Sequence, residues 1–490
     1  MSGAPTPDSG PDDQDVSPTS PFIPSNPASS NKSSRFSTWG RRRPLILPLI
    51  ALSFLSLSAL ALYSHSGSRV SAPLQEDARI VEDSSVTPSR LSALLGPPAS
   101  RFRDNLRNDT LYIHSFISAG WTNDVMTYAN LIYLGLITGR VPIVNVFNPS
   151  HVGVAAGSIP FDEVFDLDVL SENIGLPVLQ WHEVKDPDSE EIEEIGCWNI
   201  WEAVQNDEHY PRIIYTLGDQ GLDVSWTTAP SSIKLYPDRS NDRTARFWDM
   251  ASLTYKYGRE RSLVPPTPSK EHGVTLPPDE HLACFDYLYY SASTTADEFY
   301  TEISPAWRFV ATHMHFTPEL QNLADGYLRR MFGVTEDEDI PQYITIHARR
   351  GDFKVYCRER GIDEENCFPT IEDYVEGITN IQDALEARLG IRPQHVVMVS
   401  DETNEGWWAS VRLMGWYTPD HIEEKTEEQY GIWYPVLIDA VIQSSGVGLL
   451  GTPGSTMSLI AGRRVMDWYH GEYYNVRWEV RYSQGGPALM

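Results

Sequence analysis

Residues 111–147 read LYIHSFISAGWTNDVMTYANLIYLGLITGRVPIVNVF, and the hydrophobic pattern changes period twice along them. LYIHSFI has the composition of a strand. AGWTND follows as a turn. Apolar residues then recur at helical spacing through Met126, Ala129, Leu131, Leu134 and Ile137, with Gly139 as the stop. RVPIVNVF reads as the next strand. Strand, loop, helix, strand is the repeat of a parallel sheet, so the chain is expected to be α/β. A second unit starts near Ile340: YITIHARR as a strand, residues 370–390 as a helix, VVMVSDE as a strand, and VGLLGTPGSTMSLIAG as strand, glycine-containing loop and helix. The simplest arrangement is two open, Rossmann-like domains, residues 106–335 and 336–490, facing a cleft. Ligands in such sheets bind beyond the carboxyl ends of the strands.

The region before these units has a different character. Residues 1–43 are rich in Ser, Pro, Asn and Asp and end on Arg41, Arg42 and Arg43. They read as a disordered cytosolic tail. Residues 44–63, PLILPLIALSFLSLSALALY, carry no charge and are long enough to span a bilayer as one helix. The basic flank lies on the N-terminal side, which predicts a type II signal-anchor with the bulk of the chain in the lumen of the Golgi or endoplasmic reticulum. A cleaved signal peptide is the alternative, but its charged region would be far too long. Residues 64–105 read as a stem. Asn108-Asp109-Thr110 is a glycosylation sequon. All four cysteines lie beyond the anchor. An oxidising compartment would allow Cys357 with Cys367 and Cys197 with Cys284; four free thiols is the other possibility. No Cys/His cluster has zinc spacing, so no metal is expected. With 67 acidic and 38 basic residues the net charge is -29, which argues against a nucleic-acid partner.

The middle of the chain, residues 149–305, is less regular. DPDSEEIEEIG, residues 186–196, reads as a solvated charged loop. Trp198, Trp226 and Trp248 read as core, with a groove lining as the rival.

Three stretches could carry chemistry. Tyr343, Ile344, Thr345 and Ile346 form an apolar, β-branched run, so His347, Arg349 and Arg350 fall at the carboxyl end of a buried strand. An arginine there offers a planar fork of donors to phosphate oxygens, and Asp352 could orient it. Arg350-Gly351-Asp352 is also an adhesion tripeptide, but adhesion needs a mobile loop tip. GTPGSTMS, residues 451–458, places Ser455 and Thr456 at a helix start, where hydroxyls and free N–H groups can meet a phosphate. It is no P-loop, for no Gly-Lys-Ser/Thr follows; Ser455 as a plain N-cap is the alternative. AGWTND holds the same topological place in the first unit. Asn123 and Asp124 could reach a sugar or an acceptor hydroxyl; Thr122 or Asn123 as a plain helix cap is the alternative.

HARRGD resembles the HxRRxD element of the GDP-fucose-dependent fucosyltransferases, especially the protein O-fucosyltransferase-like group. SFISAGWTNDVMTYANLIYLGLITGRVPIV is similar to that group's N-terminal loop and helix, and GLLGTPGSTMSLIAG to its C-terminal loop. Asp124 stands where that group usually has Gln, and Ala119 where Gly or Arg is common. The resemblance implies a GT-B fold, a GDP-fucose donor, inversion at the anomeric carbon, no metal or other cofactor, and a protein or glycan acceptor. It makes Arg349 the essential arginine on the β-phosphate side. It places His347 and Asp439 at guanine, Ser455 and Thr456 on phosphate, Asp352 as the brace of the motif, and Arg350 and Gly120 also at the donor. The general base stays open between Asn123 and Asp124. Another nucleotide sugar, or a catalytically silent binding protein of the same fold, are the rival readings.

Overall fold

Six parallel strands make the first sheet: Tyr112–Phe116 (β1), Val141–Val144 (β2), Leu179–Gln180 (β3), Glu193–Asn199 (β4), Leu222–Thr228 (β5) and Leu282–Tyr287 (β6), in the spatial order β3-β2-β1-β6-β4-β5. Four more parallel strands make the second: Tyr343–Ala348 (β7), His395–Ser400 (β8), Gly448–Gly451 (β9) and Glu472–Asn475 (β10), ordered β8-β7-β9-β10. The protein is thus α/β with parallel sheets, as the alternating pattern predicts. This computed structural model describes residues 89–205, 210–214 and 216–478, which belong to one compact unit. The expected cytosolic tail, the apolar run at 44–63 and most of the stem lie outside the described residues. Among those described, no helix is long and apolar enough to cross a membrane.

The helices that matter to the site are Trp121–Thr138 (α1), Pro318–Phe332 (α2), Ile371–Leu389 (α3), Glu405–Leu413 (α4), Tyr434–Ser445 (α5) and Thr456–Tyr469 (α6). Helix α1 ends on Gly139 at φ 64°, a left-handed position that glycine takes without steric cost. Its start corrects the sequence reading. AGWTND is not a six-residue turn, because Gly120 is the N-cap and Trp121 already begins the helix.

Every residue of β7 is buried, which fits its mostly apolar sequence; the polar exceptions are hydrogen-bonded, Thr345 to Ile442 O and His347 to Ser458 Oγ. One apolar core runs from α1 through Phe147, Phe165, Trp307 and Phe316 to Leu437 of α5 and Ile460 of α6. The helix after β1 and the two helices that flank β9 therefore share buried surface.

The charged stretch at 186–196 is a second correction. Its last four residues enter β4, in register with β5. Glu193 is buried there and its carboxylate accepts from Phe102 N–H at 2.6 Å, with Lys185 Nζ 3.6 Å away. Those partners are what make a glutamate tolerable inside a sheet. Both disulfides form. Cys197–Cys284 joins β4 to β6, and Cys357–Cys367 closes the loop beyond β7. Of the three tryptophans, Trp198 is core, Trp226 is partly buried against Phe116, and Trp248 is exposed.

Candidate functional site

The carboxyl ends of β7, β8 and β9 converge, as expected for a ligand site in a parallel sheet. Thr452, just after β9, ties them together. Its hydroxyl donates to His347 O at 2.8 Å and accepts from Arg349 N–H at 2.9 Å. The Ser458 hydroxyl takes the Thr452 N–H at 2.9 Å and meets His347 Nδ1 at 2.7 Å. His347 is buried. That burial, with the positive charge of Arg349 beside it, pushes its pKa down to about 3, so the ring is neutral.

Arg349 leaves the strand end and is gripped through one nitrogen. Its Nε donates to Asp352 Oδ1 at 2.8 Å and lies 3.1 Å from Asp401 Oδ2. The two terminal amino groups make no hydrogen bond among the described residues, and about a quarter of the side chain is exposed (26%). Burial alone would lower its pKa. The bond to Asp352 and the charge of Asp401 outweigh that and raise it, so the group is a fixed cation. Two free, coplanar donors on an oriented guanidinium suit a pair of phosphate oxygens.

Arg350 points elsewhere. Its Nε donates to the buried Glu402 at 2.7 Å, and its guanidinium lies over the rings of Phe368 and Trp407. Burial would raise the Glu402 pKa, but Arg350 and the N–H groups of Asn404 and Thr403 hold it below the ordinary value. Arg350 therefore serves as an internal counter-ion, unlike the more open Arg349. A recess of about 670 Å³ opens on this side of the strand, lined by Arg350, Lys354, Glu364 and Asn404 among others. The adhesion reading fails on the same contacts, since the Arg350 and Gly351 N–H groups both donate to Asp401 Oδ1, at 2.7 and 2.9 Å. A Cβ on Gly351 would lie 2.8 Å from Asp401 Oδ2, so this approach needs glycine.

Ser455 caps α6, accepting from Ser458 N–H at 3.4 Å, and Thr456 is the first helical residue. The free N–H groups of that first turn face the ground beyond β9. Thr456 Oγ1 shares a 2.7 Å hydrogen bond with Thr122 Oγ1 in the first turn of α1. The two helix N-termini thus meet, and the loop of each sheet reaches the same place.

The expected base residues are placed differently. Asp124 is fully buried and faces inward. Its Oδ1 accepts from Ala119 N–H at 3.1 Å, and burial drives its pKa well above the carboxylate range. It braces the loop before α1, which corrects its reading as an accessible carboxylate. Asn123 lies in the first turn of α1 with its side-chain oxygen buried and unpartnered. Asp439, on α5, pairs with His421 Nε2 at 3.0 Å, which raises the His421 pKa against the effect of burial. No described hydrogen bond links Asp439 to His347 or Arg349.

Five contributors escaped the sequence reading: Asp401, Glu402, Thr452, Ser458 and His151. VVMVSDE carried the signal for the first two, since acids at a strand's carboxyl end belong to the same ligand face. His151 lies against Gly120, where an added Cβ would come within 2.2 Å of its ring. Among the described residues no group of three or more His, Cys, Asp or Glu is arranged to hold a metal.

No family model matches the sequence, and no curated protein matches it. The chain is similar to solved structures. One is POFUT1 in complex with GDP-fucose, at 13% identity over 76% of this chain and 98% of that one, with a TM-score of 0.43. The apo form of POFUT1 aligns at 14% identity over 76% and 99%, with a TM-score of 0.44. Fucosyltransferase NodZ from Bradyrhizobium aligns at 12% identity over 72% and 93%, with a TM-score of 0.34.

Proposed function

We propose that this protein is a fucosyltransferase-like glycosyltransferase. It takes fucose from GDP-fucose and passes it with inversion, and without a metal, to a hydroxyl of a protein or glycan. The observation that carries this reading is Arg349: a guanidinium fixed through Nε by Asp352 and Asp401, with both terminal amino groups free, at a strand end beside the N-terminus of α6. As the fucose–phosphate bond breaks, negative charge grows on GDP. A preorganised cation and helix N–H groups stabilise that charge more than they stabilise the ground state. The HARRGD and GTPGSTMS resemblances select the guanine nucleotide and fucose over other donors. The remaining expectations belong to the same proposal: two GT-B domains divided near residue 335, Asp439 at guanine, and a type II membrane protein with its catalytic part in the lumen.

Titration of the protein with GDP, UDP and ADP, without divalent cations, tests the reading. GDP should bind and Arg349→Ala should abolish binding. Preference for UDP would discard the donor. No nucleotide binding by folded protein would leave a silent scaffold.

A further inference from the structure

The loop from β2 to residue 160 is fastened at three points. Phe147 and Ile159 exchange backbone hydrogen bonds at its base, 2.7 and 3.1 Å. Ser150 Oγ donates to Ala119 O at 2.6 Å, which docks the loop on the entrance to α1. Trp433 Nε1, at the start of α5, donates to Gly157 O at 2.9 Å. The loop therefore runs from the N-terminus of α1 to the N-terminus of α5 as a strap beside the Arg349 cluster. Gly153 and Gly157 hold its positive φ angles, 115° and 63°.

His151 sits on this strap. The Cδ2–Nε2 edge of its ring presses on Gly120, and neither ring nitrogen makes a hydrogen bond among the described residues. The ring stands at the rim, with surface in solvent. The protein crowded round it lowers its pKa first. Arg349 lowers it further, and Asp352 opposes the change. Those two side chains are the charged groups that face it. A neutral imidazole with unengaged nitrogens, held near the phosphate-binding arginine, has the properties of a proton acceptor. Asp124 lacks them, being buried and engaged with the backbone.

We propose that His151 is the general base of the transfer, an inference that rests on the donor reading above. The acceptor oxygen forms its bond to the anomeric carbon as the bond from that carbon to the phosphate oxygen breaks. The electron pair leaves with GDP toward Arg349, and the acceptor proton passes to an imidazole nitrogen of His151.

The test uses the full chain, calorimetric GDP titration, and GDP release from GDP-fucose with water as acceptor, from pH 5 to 9. His151→Gln and His151→Ala should bind GDP within about twofold of the parent. Their turnover should fall on the order of a hundredfold. The acid limb of the parent's kcat profile should vanish in both, and added imidazole should restore part of the rate to His151→Ala. Turnover within about threefold of the parent, an unchanged acid limb, or GDP binding weakened tenfold would each overturn the assignment while leaving the donor reading intact. A parent protein that binds no GDP, or binds it and releases none from GDP-fucose, would remove the donor reading and this inference together.

Discussion

Thr122 Oγ1 and Thr456 Oγ1 lie 2.7 Å apart, joining the first turn of α1 to the first turn of α6. Each hydroxyl sits on the helix that follows a strand of a different sheet. The contact therefore couples the loop bearing Gly120 to the loop bearing Ser455. Thr122→Val, Thr456→Val and the double variant should form a cycle with a coupling of about 1 kcal/mol in urea denaturation. A coupling near zero would mean that the two N-termini are positioned independently.

Arg349 is held through Nε alone, so its replacement separates charge from geometry. Arg349→Lys keeps a cation but loses the flat pair of donors. GDP affinity should fall at least tenfold in Arg349→Lys and further in Arg349→Ala, since charge-assisted bonds contribute about 1.5–3 kcal/mol each. Stability should change by only about 1 kcal/mol, because Asp352 and Asp401 are both partly solvated. Calorimetry and circular dichroism on the same samples check both halves. A lysine variant with parental affinity would sink the fork-to-phosphate geometry.

Strands and helices whose side chains follow one rule were readable from sequence. β7 is mostly apolar because both faces are covered, and the sequence placed its end within two residues, at Arg350 rather than Ala348. β4 was hidden because Glu193 and Glu194 open it. Burial of Glu193 depends on Phe102 and Lys185, which lie elsewhere in the chain, and no local window contains them. The start of α1 was misread for a related reason. Gly, Asn and Asp favour turns and helix N-termini alike, so AGWTND satisfied both. Within the site, the strand-end rule found His347 and Arg349 but not which arginine faces outward. That depended on Glu402, Phe368 and Trp407 capturing Arg350. His151 had no sequence signal at all, because its place follows from how the strap docks on Ala119 and Trp433.

The division of labour between the two arginines has a stability signature. Arg350→Ala strands the buried Glu402 carboxylate, whose side chain is 4% exposed, and should cost about 3–5 kcal/mol. Arg350→Met with Glu402→Gln should recover most of that loss, because no charge is left unpaired. Chemical denaturation of the single and double variants decides it. If Arg350→Ala were as stable as Arg349→Ala, the internal counter-ion role would be wrong.

Two neutral histidines each contribute a loss of stability in acid. His114 is buried and caps Ile143 O at 2.7 Å, and burial pushes its pKa from 6.5 to about 4. His347 is pushed from 6.5 to about 3. Below pH 6.5 the unfolded chain protonates both while the folded chain does not, so unfolding takes up protons and stability falls with pH. Each contributes a slope of up to about 1.4 kcal/mol per pH unit until the pH reaches its folded value. His421 runs the other way. Its pKa is raised by Asp439, so its contribution is fully present below 6.5 and is lost as pH rises through the folded value. The buried carboxyls of Asp124 and Asp286, raised by desolvation, take up protons in the folded chain over the same range and oppose the histidines, so the His114 contribution is read as the difference between parent and variant. In urea midpoints at pH 7.5, 6.5, 5.5 and 4.5, the stability of His114→Gln relative to the parent should rise as pH falls below 6.5. An unchanged slope in that variant would show that His114 is already protonated in the native protein.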